Sequence, residues 1–306
     1  MTAPTAASQS ARQPSVGQEG AGQEGAGQEG AGQDGAAQDA GTVSAATIVG
    51  GAVALPPNTR FGAALRAVYV GQLSRARVAR VPLLFVAAFQ SLGIMLLLRG
   101  VVDTGNETTS EQVVAGSTVL VVAFIALNLL AQRFGALRAA GALDYYLTLP
   151  IPASAVVLGT AASYASFAVP GTVITAVVGA LLYGLPLSGL WLLLPVVALA
   201  GASLAGIGAA IGLLAPRQEL ATVVGQVGMS VVLFVGIIPA DRLPAGVKLL
   251  RDLVPSTYAV DVLAAAFRPS IDWAAAVVDL LVCAVVAVIM LTAASMALRR
   301  AGNARR

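Results

Sequence analysis

The chain has no histidine and only one cysteine, Cys283, among its 306 residues. Without histidine it cannot build a Ser-His-Asp triad, an imidazole acid–base catalyst or a histidine metal site. One cysteine cannot form a disulfide or a cysteine metal cluster within the chain. We therefore expect no catalytic, metal or cofactor-binding site in this chain, and we do not expect it to be an enzyme.

Charged residues are also scarce, at 11% of the chain against roughly 25% in a soluble domain. Hydrophobic residues reach 57% and concentrate in six runs, each near or above the ~20 residues that cross a hydrocarbon core. Only one ionisable residue, Asp279, falls clearly inside any run. The sequence predicts an all-α membrane protein with six transmembrane helices. These are Val81–Leu98, Val113–Leu130, Val156–Tyr183, Leu190–Leu214, Leu220–Ile238 and Trp273–Leu298.

The distribution of Lys and Arg predicts how the spans are oriented. With a cytoplasmic N-terminus, 13 of the 18 Lys and Arg residues fall on inner segments. Because these residues stay on the cytoplasmic side of a membrane, we expect both termini to be cytoplasmic. No basic stretch is interleaved with exposed aromatic residues, so a nucleic-acid partner is not expected.

Residues 1–58 differ in composition from the six-span domain expected over residues 59–306. Within them, Gly17–Ala36 repeats a five-residue unit, GQEGA, whose last copy is GQDGA. Gly, Gln, Ala and single acids bury too little apolar surface to offset the entropy lost on ordering. We expect a disordered tail, either dispensable or used for tethering or regulation.

The segment Arg60–Arg80 predicts an amphipathic helix ahead of the first span. Phe61, Leu65 and Val68 fall on one helical face, as in a helix that lies on the membrane surface. Such a helix is either an anchor at the interface or a contact for a cytoplasmic partner.

The cytoplasmic loop between spans two and three, Ala131–Val156, is long for a simple turn. It predicts a helix to about Leu147, ended by Pro150 and Pro152 because proline cannot continue the backbone ladder. Within it, Arg138 is either a charge that faces a partner or an ordinary inside charge.

The outer segment Pro239–Asp272 contains a further apolar run, Leu253–Phe267, which is too short and too polar to cross. A break near Pro255 predicts a re-entrant hairpin of two short helices that dip from the outer face. Asp279 then lies roughly 9 Å into the last span by helical rise. It marks either a hydrated mouth or local charge pair, or a residue with a role in transport.

Polar residues inside the spans serve first for hydrogen bonds between helices and second as candidates for a substrate path. The apolar and mostly neutral interior favours a hydrophobic or amphipathic substrate. Gly208 and Gly212 form a G-x-x-x-G pair, which suits either internal packing or a dimer contact. The candidate path residues are Gln90, Tyr164, Gln226 and Asp279.

Two motifs resemble the permeases of the type-2 ATP-binding-cassette exporter family. Gly141–Pro150, GALDYYLTLP, resembles the family's cytoplasmic motif of Gly-Thr-Leu, an acid, apolar residues and Pro. Val254–Asp261, VPSTYAVD, resembles its Asn-Pro-Leu-Thr-Tyr-Ala-Val-Asp run in the outer re-entrant element, with Pro255, Tyr258 and Asp261 at matching positions. The resemblance covers about residues 58–300 and is nearest to drug and antibiotic exporters of high-GC bacteria.

The resemblance implies a permease subunit in the cytoplasmic membrane, paired with a second permease chain, identical or different. ATP and Mg would belong to a separate ATPase subunit, since this chain lacks the phosphate-binding pattern G-x-x-x-x-G-K-[ST]. The residues implied to couple to that ATPase are Arg138, Gly141, Asp144, Tyr145, Tyr146, Leu147 and Pro150.

Three other functions stand as alternatives to an exporter. A secondary carrier usually needs ionisable groups near the membrane midplane, and the chain offers only Asp279, off-centre. A membrane-embedded enzyme needs clustered acids, whereas Asp241, Asp252 and Asp261 are spread over one outer loop. A membrane scaffold that transports nothing is the third.

Overall fold

The computed structural model describes residues 60–75, 80–101, 107–237, 246 and 251–303. The predicted tail lies outside these residues, as do the side chains of Asp144 and Leu147. Every regular element in the described residues is a helix, which confirms the predicted all-α class. The helices are α1 (Phe61–Arg75), α2 (Arg80–Val101), α3 (Glu107–Ala123), α4 (Leu130–Ala139), α5 (Ala142–Thr148), α6 (Ala153–Tyr183), α7 (Leu193–Leu214), α8 (Gln218–Ile237), α9 (Pro255–Ala266) and α10 (Trp273–Asn303).

Six helical stretches in the described part of the chain are long and apolar enough to cross a membrane, as predicted. All but the second begin and end within a few residues of the predicted runs. In chain order, spans 1 to 6 are Pro82–Gly100, Thr108–Ala139, Ala153–Tyr183, Leu190–Leu214, Gln218–Gly236 and Trp273–Arg300.

Span 2 is much longer than the sequence predicts, because α3 continues through a π-helical segment, Phe124–Leu129, directly into α4. The interval expected to be a cytoplasmic loop therefore begins as buried helix, and it brings Arg133 into the span. The helix ends before Gly141, whose φ of 67° is a left-handed conformation that costs glycine little. The prediction of one loop helix reaching Leu147 is thus wrong, since α5 is a separate helix.

Span 4 packs between span 2 and span 6 through its glycines. A Cβ at Gly208 would meet the carbonyl oxygen of Leu127, and a Cβ at Gly212 would meet that of Ala131. On the other side of the helix, Gly206 lies directly against the backbone of span 6. The G-x-x-x-G pair therefore serves packing within the chain, where small residues let helix backbones approach.

Helix α1 packs against the first turns of span 3. Gly159 of span 3 comes so close that a Cβ there would lie 2.9 Å from Val68 Cβ. Phe61 is 46% exposed and Leu65 is half-buried, so the three residues predicted to share a face have different environments. The location of α1 at the membrane surface stays a prediction. The buried face of α1 consists of Ala64, Val68 and Gln72.

Helix α9 begins at Pro255, where the absent N–H of proline is no loss. Most of this helix is buried. The other half of the predicted outer hairpin falls mainly in residues 238–250, which lie outside the described residues apart from Gly246. The hairpin therefore stays a prediction.

Candidate functional site

At one end of the spans, α1 and α5 form a groove. The two helices share this end because spans 1 and 2 are antiparallel, α1 precedes span 1, and α5 follows span 2. We call it the inner end, since the charge distribution predicts that it is cytoplasmic. The groove has a volume of about 160 Å³. Its lining includes Val68, Gln72, Tyr145, Tyr146, Leu149 and Ile151.

The two tyrosines predicted to couple have different environments in this groove. Gln72 Nε2 donates a hydrogen bond to Tyr146 Oη over 3.3 Å, and the Tyr146 side chain is half-buried. Tyr145 is 55% exposed, and its ring meets the Tyr146 ring edge-on with centroids 6.0 Å apart. Tyr146 thus holds α5 against α1, whereas Tyr145 is available to a partner.

The sequence around α5 fixes both ends of this short helix. Gly141 supplies the left-handed turn at its start. At its end, Thr148 Oγ1 donates to the Tyr145 carbonyl over 2.8 Å. Leu149 then turns to an extended conformation, as a residue before proline favours, and the exposed Pro150 follows. The motif therefore presents Tyr145 from a defined turn.

Arg138 has a role that neither sequence interpretation included. Its guanidinium donates to the carbonyl oxygen of Leu213, near the end of α7. The last carbonyls of a helix lack partners within the helix and carry partial negative charge, so a cation there is stabilising. Arg138 therefore ties the inner end of span 2 to the inner end of span 4.

A chain of amides joins span 2 to span 5 in the inner half of the protein. Gln132 Nε2 donates to Asn128 Oδ1 over 3.1 Å, and Asn128 Nδ2 donates to Gln226 Oε1 over 3.2 Å. Asn128 is buried in the π-helical segment, whereas Gln226 is exposed. Gly225 lets the two helices meet here, because a Cβ on it would lie 2.9 Å from Asn128 Oδ1.

Arg133 lies one residue beyond this chain of amides. Its charge acts on the phenol of Tyr164, whose ring packs against Phe167 with centroids 5.7 Å apart. Arg133 is half-buried and forms no ion pair with any carboxylate of the described residues. Two predicted path residues, Tyr164 and Gln226, thus flank the same part of span 2.

At the opposite, outer end, span 2 is bound to the middle of α9 and to the chain just after it. Arg251 donates to both carboxylate oxygens of Asp261 at 2.6 Å, and Gln112 Nε2 donates to the same carboxylate over 3.4 Å. A second ion pair joins Arg268, just after α9, to Glu111 at 2.8 Å. This network fixes the outer element on the first turns of span 2.

Tyr258 and Asp279 lie around the same network. Tyr258 Oη donates to the Asp252 carbonyl over 2.8 Å. Burial, followed by the charge of Asp252, raises the pKa of Tyr258, so its hydroxyl remains a donor at neutral pH. Asp279 lies close enough to Asp261 and Arg251 for their charges to act on it.

The four predicted path residues lie in separate parts of the structure, and their role in transport stays a prediction. Asp279 belongs to the outer end, and Tyr164 and Gln226 belong to the inner half. Gln90 is half-buried in span 1 and makes no hydrogen bond with the described residues.

The predicted site residues did not include several members of these arrangements, which are Gln72, Glu111, Gln112, Asn128, Gln132, Arg133, Arg251 and Arg268. Gln132 follows Asn128 by four residues, a spacing that places both on one helical face and could have identified it. Arg133 looked like part of a loop because it lies beyond the predicted end of span 2. Gln72 gave no signal, since its partner Tyr146 lies 74 residues away in the sequence.

A comparison with protein families gives one result that covers most of the chain. The model described as ABC-2 type transporter matches residues 68–268. The match runs from within α1 to just past α9, so it includes the groove, the amide chain and the outer network. None of the curated proteins matches the chain.

Proposed function

Because the chain belongs to the ABC-2 type transporter family and is an ABC transporter permease, we propose that it exports a hydrophobic or amphipathic compound. A separate ATPase chain, with ATP and Mg bound to it, would supply the energy, and a second permease chain would complete the transporter. The protein would lie in the cytoplasmic membrane with its inner end in the cytoplasm.

The groove between α1 and α5 is the observation that carries this proposal. It brings two segments that are far apart in the sequence to one surface, and it lies inside the family match. Its exposed aromatic residue, Tyr145, resembles the aromatic anchors that dominate many protein interfaces. A partner that presses on Tyr145 would move α5. Because Tyr146 of α5 is hydrogen-bonded to Gln72 of α1, the movement would reach α1 and span 3.

Arg138 supports a route from the groove into the spans. It lies at the end of α4, and its bond to the Leu213 carbonyl connects that end to span 4. Span 4 in turn packs on span 6 through Gly206. Movement of α5 would therefore reach spans 2, 4 and 6. This route requires no catalytic residue in the chain.

The substitution Tyr145→Ala tests the proposed ATPase contact. An interface anchor contributes about 2 kcal/mol, so its loss should weaken binding about thirtyfold, since 1.4 kcal/mol corresponds to a factor of ten. The affinity-tagged permease should then recover little of a co-expressed ATPase subunit, and substrate-stimulated ATP hydrolysis should fall accordingly. The abundance of the permease in the membrane should not change.

The matched control for this experiment is Trp191→Ala, which removes an exposed aromatic residue, 56% accessible, from the outer end of span 4. It should leave recovery of the ATPase unchanged. If Tyr145→Ala co-purified with the ATPase at wild-type stoichiometry, α5 would not be the coupling element.

The orientation of the inner end has its own test. In a Cys283→Ser background, Asn303→Cys should resist a reagent that cannot enter cells, whereas Gly105→Cys should react. The reverse pattern would place α1 and α5 outside, where no ATPase could reach them.

A further inference from the structure

Span 2 has one open stripe in its inner half, although 89% of its apolar window is buried. Leu129, Gln132, Arg133 and Ala136 are all half-buried there. Their spacing of three, four and seven residues places them on one helical face. The charge of Arg133 acts on Tyr164 of span 3, and Gln226 of span 5 is hydrogen-bonded to Asn128 in the same part of span 2.

Two hydrogen-bond donors beside this stripe, on Gln226 and on Arg133, are available to a ligand. In the amide chain, Gln132 donates to Asn128, which donates to the Gln226 carbonyl oxygen. This direction leaves Gln226 Nε2 at the exposed end with no acceptor among the described residues. Arg133, half-buried a few residues away, has no carboxylate partner in the described part of the chain. A ligand that fits these groups must bring acceptors, ideally with negative charge.

Arg133 lies within span 2, close to its inner end. It precedes the end of α4 at Ala139 by six residues, or about 9 Å of helix. Gln226 lies eight residues, or about 12 Å, into span 5. This depth is near the boundary between hydrocarbon and headgroups, where basic residues between transmembrane helices bind anionic headgroups.

We propose that Arg133 and the amide of Gln226 bind the anionic group, a carboxylate or a phosphate, of an amphiphile. Its apolar chain would lie on span 5 along Val223 and Val227, which are both 57% exposed beside Gln226. This inference rests on the proposed export function and specifies that the exported amphiphile is anionic. An anionic phospholipid headgroup carries the same chemistry as an anionic substrate, and the two sources are separated below.

The test uses the full chain in nanodiscs of zwitterionic phosphatidylcholine. The probes are a long-chain carboxylic acid with a photoreactive diazirine and its uncharged methyl ester. The measured quantity is the probe concentration that gives half-maximal labelling of spans 2 and 5, determined by mass spectrometry of their peptides. Wild type should bind the acid more tightly than the ester. Arg133→Gln should raise the value for the acid about tenfold and leave the ester unchanged, whereas Arg133→Lys should stay within about threefold of wild type.

Arg217→Gln is the matched control, since Arg217 is an exposed arginine that immediately precedes the inner end of span 5. It should leave both probes unchanged. Gln226→Glu is a second variant: it keeps an oxygen for Asn128 but replaces the exposed donor with a charge that repels the acid. It should weaken the acid about tenfold and spare the ester, and it decides the case if Arg133→Gln misfolds and loses both probes.

Adding phosphatidylglycerol to the nanodiscs identifies the source of the ligand. If phosphatidylglycerol reduces labelling by the acid in wild type but not in Arg133→Gln, the site binds a lipid headgroup. If phosphatidylglycerol does not reduce labelling by the acid, the site binds a transported amphiphile. Equal binding of acid and ester to wild type, or equal behaviour of Arg133→Gln and Arg217→Gln, would overturn the proposal. Neither result depends on the ATPase, so a failed co-purification would leave this binding intact.

Discussion

Span 2 and span 6 are both long apolar helices, of 32 and 28 residues, yet they differ sharply in how much of each is buried. In their most apolar windows, 89% of span 2 is buried and only 17% of span 6. Span 6 is the more apolar of the two. Hydrophobicity therefore does not decide which helix is central, because lipid tails are as apolar as the leucines of a protein interior.

The two helices differ in their polar groups and in the backbones they meet. Span 2 buries Ser117, Thr118 and Asn128, and it is approached by Gly208 and Gly212 of span 4. Span 6 instead exposes a broad face of large aliphatic side chains on the surface. Close backbone approach and internal hydrogen bonds thus determine which helix is central. Mutations that remove these features from span 2 should therefore destabilise the protein more than comparable mutations in span 6. The exposed residues of span 6 include Val277, Val278, Leu281, Val285, Val288 and Ile289.

The largest effect is expected from Gly208→Leu. The new side chain would collide with the carbonyl oxygens of Leu127 and Ala126, which belong to the backbone of span 2 and cannot move aside. Overpacking costs about 3 kcal/mol or more where the neighbours cannot yield. The variant should give no monodisperse peak on size-exclusion chromatography. Gly93→Leu is the control, because nothing lies within 4 Å of a Cβ there; equal yields of both variants would contradict this account.

A smaller difference is expected when one leucine is truncated in each helix. Leu130 in span 2 is 0% exposed and Leu281 in span 6 is 58% exposed. Leu130→Ala leaves a cavity and should cost about 3 kcal/mol, whereas Leu281→Ala exchanges contact with lipid and should cost a few tenths at most. Thermal unfolding in detergent measures both. Similar falls in Tm would show that the exposed face of span 6 is covered by protein.

A still smaller effect is expected from replacing one arginine in the last turn at the inner end of span 2 and one at the inner end of span 6. Arg138→Gln removes a cation from the carbonyl end of α7 and should cost about 1 kcal/mol. Arg300→Gln changes the same charge at an exposed position in the last turn of α10 and should be neutral. Denaturant or thermal scans at low and high salt compare the two. An effect of Arg300→Gln as large as that of Arg138→Gln would remove the assigned role of Arg138.

The smallest effect is expected outside both helices, from deletion of residues 1–55. Their repeat has no apolar periodicity with which to dock on the six-span domain. Membrane insertion, yield and transport should therefore stay near wild type. Failure of the truncated chain to insert would give the tail a structural role.

The spans could be predicted from the sequence because crossing a membrane requires length and apolarity, which are local properties. The continuation of span 2 could not, since Gln132, Arg133 and Arg138 resemble a loop until Asn128, Tyr164 and Leu213 are placed beside them. Two of these partners, Tyr164 and Leu213, lie in other spans, and no local pattern reports which spans are neighbours.

The packing face of α1 shows a similar limit. An apolar spacing pointed to Phe61, Leu65 and Val68, but Gly159 approaches Val68 and the backbone of Leu65 most closely, whereas Phe61 is 46% exposed. In the candidate site, the motif Gly141–Pro150 pointed to a segment that lines the groove with α1, and only the structure distinguishes the environments of Tyr145 and Tyr146. That distinction needed Gln72, which lies on a helix before the first span.

The length of span 2 also determines how far the chain reaches beyond the lipid. Its 32 residues extend about 48 Å at 1.5 Å each, which exceeds even the ~45 Å of a bilayer with its headgroups. The helix ends at Ala139, so it carries α5 to the water-facing edge of the headgroup layer. A soluble partner can then dock on Tyr145 without displacing lipid, whereas a 20-residue span would leave the same tyrosine submerged among phosphates.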